Sequence, residues 1–165
     1  MNERLLGIYL NDHLAGSVVG GEIARRCLGR NRESPLGHFL ARLVTEIDED
    51  RASLESLMAG LGIQQNPVKR WAAFALEKAG WLKLNGRLFQ YSDLSRLEEL
   101  EALALGLEGK HSLWRAVGEV APSDPRLDVQ EMHKLADRAI RQREELEQHR
   151  LEAARRALGA ESFMT

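Results

Sequence analysis

His13, Glu46, Asp50, Glu101 and Gln142 interrupt faces of the chain that are otherwise apolar at helical spacing, about one interruption for each long helical stretch. His13 lies on the line Leu6, His13, Gly20 and Cys27, in steps of seven residues. Asp50 occupies an apolar seam, with Glu46 one turn before it. Glu101 is flanked at a distance of four residues by Leu97 and Leu105, and Gln142 lies between Ala139 and Leu146. A charge or amide on a buried face costs several kcal/mol, on the order of 2–7, unless it is hydrogen-bonded, paired or bound to a metal. Imidazole and carboxylates together suit iron, manganese or zinc, so His13, Glu46, Asp50 and Glu101 are the candidate metal ligands. The more ordinary arrangement is a buried polar network. In it His13 pairs with Asp50 or Glu46, Gln142 satisfies Glu101, and Arg51, Arg143 or Lys110 neutralises the surplus charge.

The rise of about 1.5 Å per helical residue tests whether these groups can meet. His13 precedes a turn near Asn31 by 18 residues and Asp50 follows Ser34 by 16, so an antiparallel pair brings them within about one turn. Glu101 and Gln142 fall at similar depths about a turn near Pro122 to Pro125. Glu108 and His111 have the Glu-x-x-His spacing that occurs twice in carboxylate-bridged dimetal bundles. Here it occurs once, on what reads as a solvated face; Glu46 is followed three residues later by Glu49, and neither His133 nor His149 has a glutamate three residues before it.

These residues need long helices to position them. The spacing predicts helices over about 3–29, 35–61, 67–84, 93–120 and 127–158. The second is the clearest, with Leu36, Leu40, Leu43, Ile47, Asp50, Leu54, Leu57 and Leu61 at alternating steps of four and three. Ser34 is its expected cap, and Gly60 and Gly62 its stop. The first carries Gly16, Gly20 and Gly21, small residues expected to let another helix approach closely. Asn66 and Pro67 read as the cap and first residue of the third, while residues 82–91 could instead form a hairpin around Asn85-Gly86. Two helix pairs joined by short loops, with a longer connection holding a shorter helix, describe an all-α, ferritin-like antiparallel four-helix bundle of one domain.

Charged residues make up 29% of the chain and aromatics 5%, a balance that favours helices. With a net charge of −2 and mixed signs throughout, nothing marks a nucleic-acid or anionic membrane partner. Cys27 is the single cysteine, so it forms no intrachain disulfide and reads as a small core residue in a reducing compartment. No run of about 18 apolar residues or small-residue cleavage site occurs, and the expected location is cytoplasmic. No Gly-x-Ser-x-Gly, Cys-x-x-Cys or phosphate-binding glycine loop is present. Trp71, Trp81 and Trp114 are expected in the core, with a ligand pocket as the alternative.

The runs Tyr9 to Gly16, Glu46-Ile-Asp-Glu-Asp50, Leu82 to Arg87 and Leu94 to Lys110 resemble an uncharacterised bacterial family of ferritin-like helical bundles, over most of the chain. The resemblance implies a fold and no particular activity. Its matching positions include His13, Glu46, Asp50, Glu101 and Lys110. Without paired Glu-x-x-His motifs, the expectation leans to a structural or interaction module with no dimetal centre and no cofactor, with catalysis left open. The protein partner is open, and a homodimer through an apolar stripe is one possibility. A divergent metal-binding protein or enzyme, and a binder of small apolar ligands between the helices, are the alternatives.

Overall fold

The computed structural model describes residues 1–66 and 91–159. Among these the chain is all-helical, with no strand. Helix α1 spans Glu3–Asn31, α2 Pro35–Gly60, α3 Asp93–Val120 and α4 Val129–Leu158, with a 3-10 turn at Ala121–Ser123 between α3 and α4. These bounds match the expected helices to within two residues. The expected helix over 67–84 and the alternative hairpin at 82–91 fall on residues outside the described set, Tyr91 excepted.

Each helix begins on a side chain that accepts from one or more of its otherwise unpaired N–H groups. Asn2 accepts from Leu5, Ser34 from Gly37, Ser92 from Ser95, and Asp128 from Gln130 and Glu131. Helix α1 continues past Gly29 because Asn31, in the last turn, donates to the Cys27 carbonyl at 2.7 Å. Helix α2 stops where Gly62 takes φ of +71°, so that the Gly62 and Ile63 amides donate back to the Ala59 and Met58 carbonyls.

The buried side chains fall into two apolar clusters, and their membership gives the helix directions. Ile23, Ala24 and Cys27 near the end of α1 meet Leu36 and Leu40 at the start of α2, Leu97 and Leu100 at the start of α3, and Leu146 and Ala153 late in α4. At the other end, Leu10 and Leu14 of α1 meet Leu54 and Met58 of α2, Trp114 and Val117 of α3, and Met132 and Leu135 of α4. Helix α1 therefore runs antiparallel to α2 and α3, while α2 and α3 run the same way. The α2 seam is buried as expected except at its end, where Met58 rather than Leu57 is the fully buried residue.

Helices α3 and α4 lie closest, α1 and α2 next, and the α2 and α4 backbones approach only sparsely. Small residues explain the first. Ala136 and Ala139 are buried on α4, and a Cβ on Gly118 of α3 would already stand 3.5 Å from the Met132 Cβ. The turn between α1 and α2 is tighter still, since a Cβ on Gly37 would lie 2.1 Å from the Asn31 carbonyl oxygen. Gly37→Ala is therefore expected to destabilise the fold by about 1–3 kcal/mol despite the better helix propensity of alanine, as read from the urea midpoint.

Candidate functional site: a polar layer and the cavity beside it

Between the two apolar clusters, at the point where Ile47 gives way to Leu54 on α2 and Leu107 to Leu113 on α3, the seam positions are polar. The Lys110 ammonium donates to one carboxylate oxygen of Asp50 and to the side-chain carbonyl of Gln142. The Gln142 amide in turn donates to Glu46 at 2.6 Å. Arg138 donates to the second oxygen of Asp50 and, at 2.8 Å, to Glu49. Three helices thus contribute to one network, in which Lys110 and Arg138 together neutralise Asp50 and one further carboxylate. Asp50 and Gln142 are both 4% exposed, so each needs these partners. Burial pushes the Lys110 ammonium below the usual lysine pKa, against the opposing pull of Asp50.

The candidate ligands divide. Glu46, Asp50 and Gln142 come together. Glu101 does not join them: it is exposed on α3 and faces Arg150 at 3.3 Å. The register of α3 on α4 accounts for this, because Gln142 stands beside Lys110 rather than Glu101, nine residues or about 13 Å further along α3. Leu105, which appeared to frame Glu101 as a seam residue, is 76% exposed. His13 lines the same cavity as Asp50. Its described neighbours, however, are the Tyr9 ring, edge-on at 4.5 Å, and Asp12, rather than Asp50 or Glu46. Ile47 stands against Gly21, which places Asp50 more than a turn from His13 along α1. Glu108 pairs with Arg143 at 2.7 Å and with His111 at 3.8 Å, on the half-exposed side of α3. Among the described residues, no group of three or more His, Cys, Asp and Glu side chains is placed to hold a metal ion.

Beside the polar layer lies a cavity of about 200 Å³. Gly16 and Gly20 of α1 and Gly106 and Gly109 of α3 form part of its lining, with Asp50 and Lys110 at one side and Trp114 in its apolar wall. Among the described residues, a Cβ at any of the four glycines would meet no atom within 4 Å; Gly16 and Gly106 are exposed, and Gly20 and Gly109 are half-buried. The expectation that the glycines of α1 admit a neighbouring helix thus applies to Gly21, which abuts Ile47, and not to Gly16 or Gly20. Trp114 is buried in the core as expected, but its indole N–H has no hydrogen-bond partner among the described residues. Trp71 and Trp81 lie outside the described residues.

Sequence periodicity missed a second buried charge. Glu99, 4% exposed, holds Arg26 at 2.8 Å and Arg30 at 3.3 Å on one oxygen, while the other oxygen is buried without a hydrogen-bond partner. Cys27 lies beside it. Burial, with the Glu99 charge second, pushes this thiol up to about 11, which makes it an inert core residue. Asn31 links Cys27 to Tyr91 and Arg96, closing this end of the fold. The proximity of Arg26 and Arg30 in the folded chain is what sets Glu99 apart, and no spacing rule displays that.

Comparison with family models, with curated proteins and with solved structures finds no match to this chain. Its chemistry is therefore taken from its own residues. Removing one member of a buried pair leaves an uncompensated charge, so Lys110→Met is expected to cost about 3–5 kcal/mol in urea unfolding. Arg143→Met, which breaks the exposed pair with Glu108, should cost under about 1 kcal/mol. Burial also lowers the His13 pKa, with Asp12 opposing, so the unfolded chain binds the His13 proton more readily than the folded one. That contribution is absent above the ordinary histidine pKa and becomes a loss of stability as pH falls through it. His13→Leu should therefore flatten the decline in melting temperature between about pH 7.5 and pH 5.5.

Proposed function

We propose that this protein is a ferritin-like antiparallel bundle without a dimetal centre that acts as a structural or interaction module in the cytoplasm. The supporting observation is the place of Lys110. Its ammonium lies between the Asp50 carboxylate and the Gln142 carbonyl, the position a divalent cation would take in a metal-loaded bundle, and Arg138 holds the remaining Asp50 oxygen. The carboxylate most deeply placed among the candidate ligands is thus already neutralised by side chains of the chain itself. The helix directions favour the ferritin-like reading, because α2 and α3 run the same way and a connection between them must return along the length of the helices. Among the described residues no helix is long and apolar enough to cross a membrane.

A second copy of the chain is the partner we assign. Leu5 and Ile8, one turn apart on α1, are 60% and 52% exposed, next to Met1 and a shallow apolar surface that includes Val120. The test combines plasma mass spectrometry with light scattering. Protein purified without a tag and incubated with iron, manganese or zinc should retain well under one equivalent of metal after desalting. It should run as a dimer that Leu5→Glu with Ile8→Glu converts to a folded monomer. A retained equivalent of metal that is lost in Asp50→Asn would replace this reading with the metal-binding one. A wild-type monomer would remove the assigned partner.

A further inference from the structure

We propose that one ridge of α1, formed by Asn11, Ala15, Val19, Ile23 and Cys27, is the docking surface for residues 67–90 of the same chain. Side chains four apart on a helix make a continuous ridge inclined to its axis. At about 100° per residue, Ala15 and Val19 point roughly 135° and 175° away from the mean direction of the buried Leu10, Leu14, Gly21 and Ala24. An alanine so placed belongs in solvent. Ala15 is instead 8% exposed, and among the described residues it joins neither apolar cluster. Gly16, next to it but off the ridge, is exposed. Ile8, which points nearly the same way as Ala15 but precedes Asn11, is 52% exposed. The shielding thus begins at Asn11 and follows the ridge, on which Ile23 and Cys27 are buried as well.

The occupant is identified by where the chain departs and where it returns. The Asn66 amide donates to the Asn11 side chain at 2.7 Å, and Asn11 donates to the Gln64 carbonyl at 3.2 Å. Tyr91 is fixed at the opposite end of the ridge. Its hydroxyl accepts from Asn31 at 3.0 Å and lies 3.8 Å from the Cys27 sulfur, and the Arg30 and Arg96 guanidiniums sit 4.8 and 5.4 Å from its ring centre. From Asn11 to Cys27 is 27 − 11 = 16 residues, or about 24 Å along α1. The helix that spacing predicts over 67–84 would be about 27 Å long, which matches that distance. Residues 67–90 include Trp71, Phe74, Trp81 and Leu82, whose apolar area gains by meeting a surface. The small side chain at Ala15 leaves room for large ones to approach α1. A segment held at both ends meets the ridge within one molecule, an advantage that a second copy of the chain lacks.

Maleimide labelling of Ala15→Cys and Gly16→Cys in the full chain tests this, with the parent chain giving the background from the buried Cys27. The thiol introduced by Gly16→Cys should react at the rate of an exposed cysteine, and that of Ala15→Cys at least tenfold more slowly. Adding Trp71→Ser, Phe74→Ser and Trp81→Ser should speed the Ala15→Cys reaction at least fivefold while circular dichroism and the urea midpoint report a folded bundle. If the added substitutions unfold the protein, a second measurement decides. A benzophenone attached through Asp12→Cys, exposed and beside the ridge, should photo-cross-link to peptides from 67–90 of its own chain, as read by mass spectrometry of the monomer band. The proposal is overturned if Ala15→Cys labels as fast as Gly16→Cys, or if it stays protected in the folded triple-serine background. It is also overturned if the benzophenone attaches to another part of the chain or to a second copy, the latter making the ridge an interface between molecules.

Discussion

A lysine ammonium inside a helical core is the constraint around which this protein is arranged. Lys110 is tolerated because Asp50 on α2 and Gln142 on α4 both reach it, and Asp50 is tolerated because Lys110 and Arg138 both reach it. Apolar contact is non-directional, so the leucine clusters on either side could slide past one another by a turn at modest cost. Hydrogen bonds to a buried charge could not. The layer therefore sets the relative heights of α2, α3 and α4, and it does so where the core divides into its two apolar halves.

The same layer explains why the helices are unequally spaced. Helix α4 sits close against α3, where Ala136, Ala139 and Gly118 remove bulk, and stands away from α2. Long side chains bridge the wider gap. Arg42 meets Glu145, Glu46 meets Gln142, and Arg138 reaches both Glu49 and Asp50. These contacts succeed one another at roughly one-turn steps along α2, from the exposed pair of Arg42 and Glu145 to the buried Asp50. A seam of this kind needs charged residues on two helices whose other faces are apolar, which is how the mixed charge of the chain is used.

Periodicity made the four described helices legible, together with the Ser34 cap and the polar break at Asp50, because burial and capping act over three or four residues of sequence. Of the five polar residues expected to converge, Glu46, Asp50 and Gln142 share one network, but through Lys110 and not through the expected pairs of His13 with a carboxylate and Gln142 with Glu101. What periodicity could not supply was the register between helices. A displacement of about two and a half turns in the α3 and α4 pairing separates Glu101 from Gln142, and nothing local to either residue reports it. Arg138 escaped notice for the same reason, since an arginine on a charged helical face looks alike whether it ends in solvent or reaches inward across a neighbour. Glycine was ambiguous in another way. A glycine in a helix can admit a neighbour, as Gly21 does for Ile47, or leave a space, as Gly16 and Gly20 do, and spacing does not distinguish the two.

That last distinction bears on energetics. A glycine in a helix interior costs about 0.5–1 kcal/mol relative to alanine, so four such positions cost roughly 2–4 kcal/mol. Domain stabilities are about 5–15 kcal/mol in total, which makes this a sizeable fraction. At Gly37 the penalty is unavoidable, because a Cβ would overlap the Asn31 carbonyl oxygen. At Gly16, Gly20, Gly106 and Gly109 no overlap exists among the described residues, and alanine would gain helix propensity. Local packing among the described residues therefore does not account for these four glycines as it does for Gly37.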